Sequence, residues 1–392
     1  MFDVLLFTLL GVAIGTVAGL IPGLHPNLMA TLFTGYLFFP PLQTSVLLVS
    51  AGVTNTFVNF IPAVYLGAPS SSTALSVLPG HKMLLEGRGR EAIRLTVVGG
   101  LFSIVLISLL TPVLFSVVPK IYPLLENYIH YLLIAIVGYM FYQDRDLNAV
   151  LIFILAGTLG YIVLTMNFIG TPYDLFPLLA GLFGVSTLLH SLQKETRIPE
   201  EDRSLEHVGR RTALFGGLIG SVAGMIVGLL PGVGSAQATY VARELSGRDN
   251  IREFMISIGG VNTANIVLSL VAIYLIGKGR SGIAVAVSKI VEVTFETVVL
   301  FIPVIIFSAG MAAAVTVFLS RHSLKLFRKI DYHDLSTVVI FFLGLAALFL
   351  TGIRGLIVMA VAASVGFTCI VSGTRRSYLM ASIIVPIIIF FL

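Results

Sequence analysis

Apolar residues run through this chain in stretches of twenty or more, separated by short polar turns, from one end to the other. An α-helix needs about 20 apolar residues to cross the hydrocarbon core of a bilayer. The runs predict crossings near 42–66, 95–118, 126–142, 148–168 and 172–190, then near 255–277, 290–320, 335–351, 355–373 and 377–392. Two further apolar stretches, 4–39 and 214–242, carry a proline–glycine break in mid-run. They are read as re-entrant helical hairpins that enter and leave on one side. The predicted fold class is therefore an all-α integral membrane protein, with about ten transmembrane helices plus re-entrant helical hairpins, multi-pass in the cell membrane.

The pattern then repeats. Gly11, Gly15 and Gly19 recur at every fourth position and run into Pro22-Gly23, while Gly220, Gly224 and Gly228 do the same and run into Pro231-Gly232. One offset of 209 residues relates both features, as 11 to 220 and 22 to 231. Asn55-Thr56 with Asn59 is echoed by Asn262-Thr263 with Asn265, and Tyr65-Leu66 by Tyr274-Leu275. Glycines at this spacing are also the ordinary signature of close helix packing; the matched proline–glycine breaks are what packing leaves unexplained. The repeat divides the chain into residues 1–190, a charged linker 191–211, and residues 212–392.

Charge adds the orientation. With 81–94 placed in the cytoplasm, the basic residues fall on the cytoplasmic side except for Lys120, Lys278, Arg280, Lys289 and Arg354, five of 24. That is a strong positive-inside bias. The first hairpin opens near Pro40-Pro41-Leu42-Gln43, with no basic residue, and the second near Arg243, Arg248 and Arg252. Opposite mouths make the two repeats inverted, an architecture common among secondary transporters. Both termini are expected outside, and 81–94, 191–211, 243–253, 321–334 and 374–377 inside.

Composition agrees. Of 392 residues, 57% are hydrophobic and 11% charged, against about 25% charged in an ordinary soluble domain. The formal charge of +5 sits in orienting loops and does not indicate nucleic-acid binding. The single cysteine, Cys369, lies in an apolar run, so no thiolate metal site or disulfide framework is available. The start, MFDVLLFTLLGVAIG, lacks the basic opening of a signal peptide and reads as part of the mature fold.

Four breaks interrupt the apolar sequence, around Pro22–Asn27, Gly67–Thr73, Pro231–Ser235 and Gly277–Gly282. Proline removes a backbone donor and glycine loosens the helix, so each break frees backbone groups. At membrane depth these must meet protein or a water-filled cavity. A half-helix beginning there points its positive end at that cavity, which suits an anion; a packing kink is the plain alternative for any one break. The candidate substrate-binding residues are Pro22, Gly23, His25, Asn27, Asn55, Asn59, Ser70, Ser71, Ser72, Pro231, Gly232, Ser235, Asn262 and Asn265. For the asparagines, hydrogen bonding between helices competes with ligand contact. No basic residue falls within a predicted span, so the anion is expected to be held by amides and hydroxyls rather than by an arginine or lysine clamp, unless Lys289 reaches inward. No catalytic motif, phosphate-binding loop or metal-ligand set is present, so the chain is not expected to be an enzyme or to carry a cofactor or metal.

The stretches GTVAGLIPGLHPN at 15–27, LGAPSSSTALSVLPGHKMLLEGRGREA at 66–92 and GLLPGVGSAQATYVA at 228–242 resemble the large membrane subunit of the tripartite tricarboxylate transporters, the TctA family. Here His81-Lys82 stands where the family carries an aromatic–proline pair. The resemblance implies a secondary-active permease for an organic anion, a di- or tricarboxylate, driven by a gradient of Na+ or H+. It also implies two partners, a small membrane subunit and an extracytoplasmic binding protein. The paired broken helices resemble, more weakly, translocases that recycle polyprenyl-phosphate lipid carriers, which would take a lipid phosphate from membrane lipid instead.

Overall fold

A backbone inside a bilayer has no water to bond, so a spanning segment must close its own hydrogen bonds as a helix or join a closed barrel. This chain takes the first course. The computed structural model describes all residues except 1, 22–38, 68–72, 74–76, 127, 145, 171–173, 193–207, 230–249, 278, 280, 328–331 and 392, and the described residues form helices and no strand. Among them, eight helices are long and apolar enough to cross a membrane, and three shorter apolar helices accompany them.

The first half begins with α1 (Phe2–Leu20), α2 (Pro41–Val58), its short continuation α3 (Phe60–Tyr65), α4 (Val77–Leu85) and α5 (Gly89–Glu126). It ends with α6 (Ile129–Asp144), α7 (Leu147–Gly160), α8 (Leu175–Leu179) and α9 (Ser186–Leu192), the last two joined by a π-helical turn at Ala180–Val185. The second half repeats the opening order with α10 (Arg210–Leu229), α11 (Ile251–Ile276), α12 (Gly282–Ile290) and α13 (Phe295–Phe327). The lengths correspond: α1 and α10 have 19 and 20 residues, α4 and α12 have nine each. Then come α14 (Tyr332–Val371), a 3-10 turn at Arg376–Met380 and α15 (Ala381–Phe391). α14 breaks at Gly352 (φ 67°, ψ −166°), between the two crossings expected at 335–351 and 355–373. A positive φ of this kind costs glycine little and other residues more.

Packing explains the glycine stripes. A Cβ added at Gly11 would stand 2.5 Å from the carbonyl oxygen of Leu47, and one at Gly19 would stand 2.7 Å from the Cβ of Val58. In the second half a Cβ at Gly220 would strike the carbonyl of Ser257, and one at Gly228 would lie 2.7 Å from the Cβ of Leu268. The stripes thus let α1 lie against α2 and α10 against α11 at backbone distance, the small-residue packing of membrane helices.

The buried apolar side chains form two main bodies, and each draws on both halves. One unites α2 to α5 with α11 to α13, around Phe57, Phe60, Met255 and Phe301. The other unites α6 to α8 with α14, the 3-10 turn and α15, around Phe183, Leu179 and Tyr378. Outward faces remain apolar, with Leu109, Leu151, Phe318, Phe341 and Phe349 exposed. Such faces suit lipid, not water.

Candidate functional site

The residues that relate the two halves in sequence meet in space. Asn262 on α11 donates through Nδ2 to the carbonyl oxygen of Thr56 at 3.1 Å and to Oδ1 of Asn59 at 3.3 Å. Asn59 donates in turn to Oδ1 of Asn55 at 3.4 Å, and the hydroxyls of Thr56 and Thr263 lie 3.2 Å apart. Asn55, Thr56, Asn59, Asn262 and Thr263 are all buried. An amide buried in apolar surroundings is costly unless its donors are met; here the first half meets the donors of Asn262, and Asn59 finds its acceptor in Asn55 of its own half. The contacts also fix direction. A Cβ added at Gly52 would stand 3.7 Å from Cδ1 of Ile266, beyond the nearer Ile283, while Thr56 meets Thr263 and Asn59 meets Asn262. As the number rises on α2 it falls on α11, so these corresponding helices pair in antiparallel register.

Of the sequence-predicted site residues, the structure brings Asn55, Asn59 and Asn262 into this seam. Asn265 is half-buried on α11, its backbone beside Gly228. Asn55 and Asn262 stand 207 residues apart, like Thr56 and Thr263, whereas that offset carries Asn59 to Ile266. Pro22, Gly23, His25, Asn27, Ser70, Ser71, Ser72, Pro231, Gly232 and Ser235 lie outside the described residues.

At the far end of α3, about 8 Å along the helix from Asn59, lies a second polar group that sequence reasoning missed. His81 is buried, with Nδ1 3.1 Å from the carbonyl oxygen of Val64. Burial holds its imidazole below the ordinary pKa of 6.5; the bond to Val64 opposes this, and the nearby charge of Arg376 adds to it. Arg376 itself is 8% exposed and donates from Nη1 to the hydroxyl of Thr187 at 2.7 Å. The Thr187 hydroxyl donates to the carbonyl of Phe183, which leaves its lone pairs for the guanidinium. Charge patterning places Arg375-Arg376 together in a loop. In the structure the pair divides, Arg375 reaching Oδ1 of Asp144 at 2.6 Å and Arg376 turning inward. A buried arginine is therefore present, outside the predicted spans, which hold no basic residue.

A third group joins the halves where basic loops were predicted. Glu91 accepts from Arg88 at 2.8 and 3.0 Å and from Nε of Arg252 at 2.8 Å. Among the described residues no cluster of three or more His, Cys, Asp or Glu side chains could hold a metal ion.

A polar seam between helices, inside a body that is helical throughout the described residues and apolar on its outer faces, defines a multi-pass membrane protein. The chain belongs to the tripartite tricarboxylate transporter TctA family, which it matches over residues 5–381. It is also 31% identical over 358 residues to an uncharacterized protein of Methanocaldococcus jannaschii, covering 88% of each chain. No solved structure matches it.

Proposed function

We propose that this component of a tripartite tricarboxylate transporter is the permease itself, carrying an organic di- or tricarboxylate on a gradient of Na+ or H+. The single observation that supports the reading most is the antiparallel seam of α2 with α11. Corresponding helices that meet head to tail are what two inverted repeats require, and inverted repeats rocking about a shared site are a common basis of alternating access. On this reading the halves are 1–190 and 212–392, joined by the linker 191–211. The Pro22-Gly23 and Pro231-Gly232 turns approach each other beside the seam, with Ser70 to Ser72 and the asparagines around them. Half-helix ends there offer about half an elementary charge each to a carboxylate. A small membrane subunit and an extracytoplasmic binding protein complete the assembly.

The test is thermal stabilisation of the purified protein against a panel of di- and tricarboxylates, short-chain polyprenyl phosphates, neutral solutes and simple cations. Stabilisation by a carboxylate that Ser71→Ala weakens is the expected result. A response confined to polyprenyl phosphates would make the protein a lipid-carrier translocase. A response confined to cations or neutral solutes would end the anion reading altogether.

A further inference from the structure

Two charged side chains stand out as buried among the described residues, Glu91 and Arg376, each 8% exposed. Glu91 lies between two arginines and is compensated. Arg376 is not: no carboxylate pairs with it among the described residues, and the neighbouring acid, Asp144, is taken by Arg375. The groups its charge reaches are His81, held neutral by burial, and the buried thiol of Cys369. A guanidinium carries five N–H donors, and the described residues engage one nitrogen, through Thr187. Burial of a charge is strongly unfavourable until a partner of opposite sign meets it.

The position of the group matters as much as its charge. Thr187 on α9 anchors one nitrogen of the guanidinium. Leu188, the next residue, packs against Gly67, where an added Cβ would stand 3.3 Å from its Cδ2. Gly67 takes a positive φ of 62° at the end of the α2–α3 rod that carries the asparagine seam. Arg376 is thereby held from the second half against α9 of the first, and the residue after its anchor packs at the end of that rod. A planar, permanently charged fork with open N–H groups is complementary to a carboxylate, which it can hold through two parallel hydrogen bonds.

We propose that Arg376 is the fixed cation of the substrate site, taking one carboxylate of the substrate through the N–H groups that Thr187 leaves free. The assignment rests on the carboxylate-permease reading and adds to it the residue that supplies a full positive charge. Thr187 acts as a positioning residue, accepting from the guanidinium while its own proton is committed to Phe183.

The experiment uses the full chain, purified, with thermal unfolding followed as citrate and succinate are titrated, and with sodium phosphate at matched ionic strength alongside. Arg376→Gln removes an uncompensated charge, so its melting temperature without ligand should equal or exceed the wild type's, while stabilisation by carboxylates is lost. Arg376→Lys keeps the charge but not the fork; its ligand-free melting temperature should match the wild type's, and its half-effect concentration should rise about tenfold or more. A wild-type half-effect concentration in either variant overturns the assignment, as does phosphate stabilising the wild type as well as the carboxylates do. A large drop in ligand-free stability of Arg376→Gln, with Arg376→Lys indistinguishable from the wild type, would make the arginine structural. If Arg376→Gln does not fold, Arg376→Lys decides alone. Silence of the wild type toward every carboxylate would sink the permease reading and this assignment with it; normal wild-type response with unaltered variants would sink only the assignment.

Discussion

At the scale of single residues the structure is organised by what each buried polar group finds to bond. Asn262 serves two acceptors, the Thr56 carbonyl and the Asn59 amide oxygen. Asn262→Ala leaves both without that donor in a water-excluded seam, and an unsatisfied buried polar group costs about 1–3 kcal/mol. A destabilisation of that size is expected in chemical unfolding of the purified protein, and a change within about 0.5 kcal/mol would mean that the seam contributes nothing to holding the halves. His81 gives a prediction in pH. Its folded-state pKa lies below 6.5, with burial the chief cause, so the unfolded chain binds the proton first on acidification. Stability contributed by neutral His81 is thus complete above about pH 6.5 and falls as pH drops below it, by at most about 1.4 kcal/mol per pH unit. The melting temperature should decline between pH 6.5 and 5, and His81→Gln should flatten that decline; an unchanged slope in the variant would remove His81 as its source.

At the scale of elements, hydropathy made most of the architecture legible, because a bilayer imposes a minimum run length that soluble folds do not. The expected crossing at 42–66 is α2 with α3, 255–277 is α11, and the division of α14 at Gly352 falls between two expected spans. The glycine stripes were legible as packing signals, and packing is what they do. Arg376 was not legible, since a basic doublet before an apolar run looks like any orienting loop. Only the fold brings α9 and Thr187, 189 residues away, over it. The ion pair of Arg252 with Glu91 escaped for the same reason, its partners lying 161 residues apart. The packing role of glycine can be tested by contrast. Gly224→Ala drives a methyl group into Ala264 on α11, whereas Gly310→Ala on α13 meets nothing within 4 Å. Overpacking costs about 1–3 kcal/mol, while alanine for glycine in an open helix position gains up to about 1 kcal/mol. Equal effects of the two changes on melting temperature would mean that the stripe does not set the α10–α11 distance.

At the scale of the whole molecule, the contacts between distant segments bear on which way each half faces. Glu91 meets Arg252, Asp144 meets Arg375, and the hydroxyl of Tyr65 donates to the carbonyl of Ser320 at 3.2 Å. Every one of these residues lies at a helix end that the distribution of basic residues assigns to the cytoplasm. On the other side Arg354 sits 5.9 Å over the ring of Phe168, and Phe115, Tyr274 and Phe295 pack edge to face and tilted against one another. Those ends are the ones assigned outside. Charge count and tertiary contact are independent, one read along the chain and the other across it, and they sort the ends alike. The short helices α4 and α12 then become the test of inversion. Glu86 follows α4 and Glu292 follows α12, at corresponding places in the two halves, and both are exposed. In a parallel repeat they would face one compartment; in an inverted repeat they face opposite ones. Cys369 is buried and can be replaced by alanine, leaving single cysteines at Glu86, Glu292 or Gln43 as the only thiols. A membrane-impermeant maleimide applied to intact cells should label Glu292→Cys and Gln43→Cys and leave Glu86→Cys until the cells are opened. Labelling of Glu86→Cys and Glu292→Cys from the same side would overturn the inverted arrangement, and with it the expectation that the two proline–glycine turns approach one another from opposite faces.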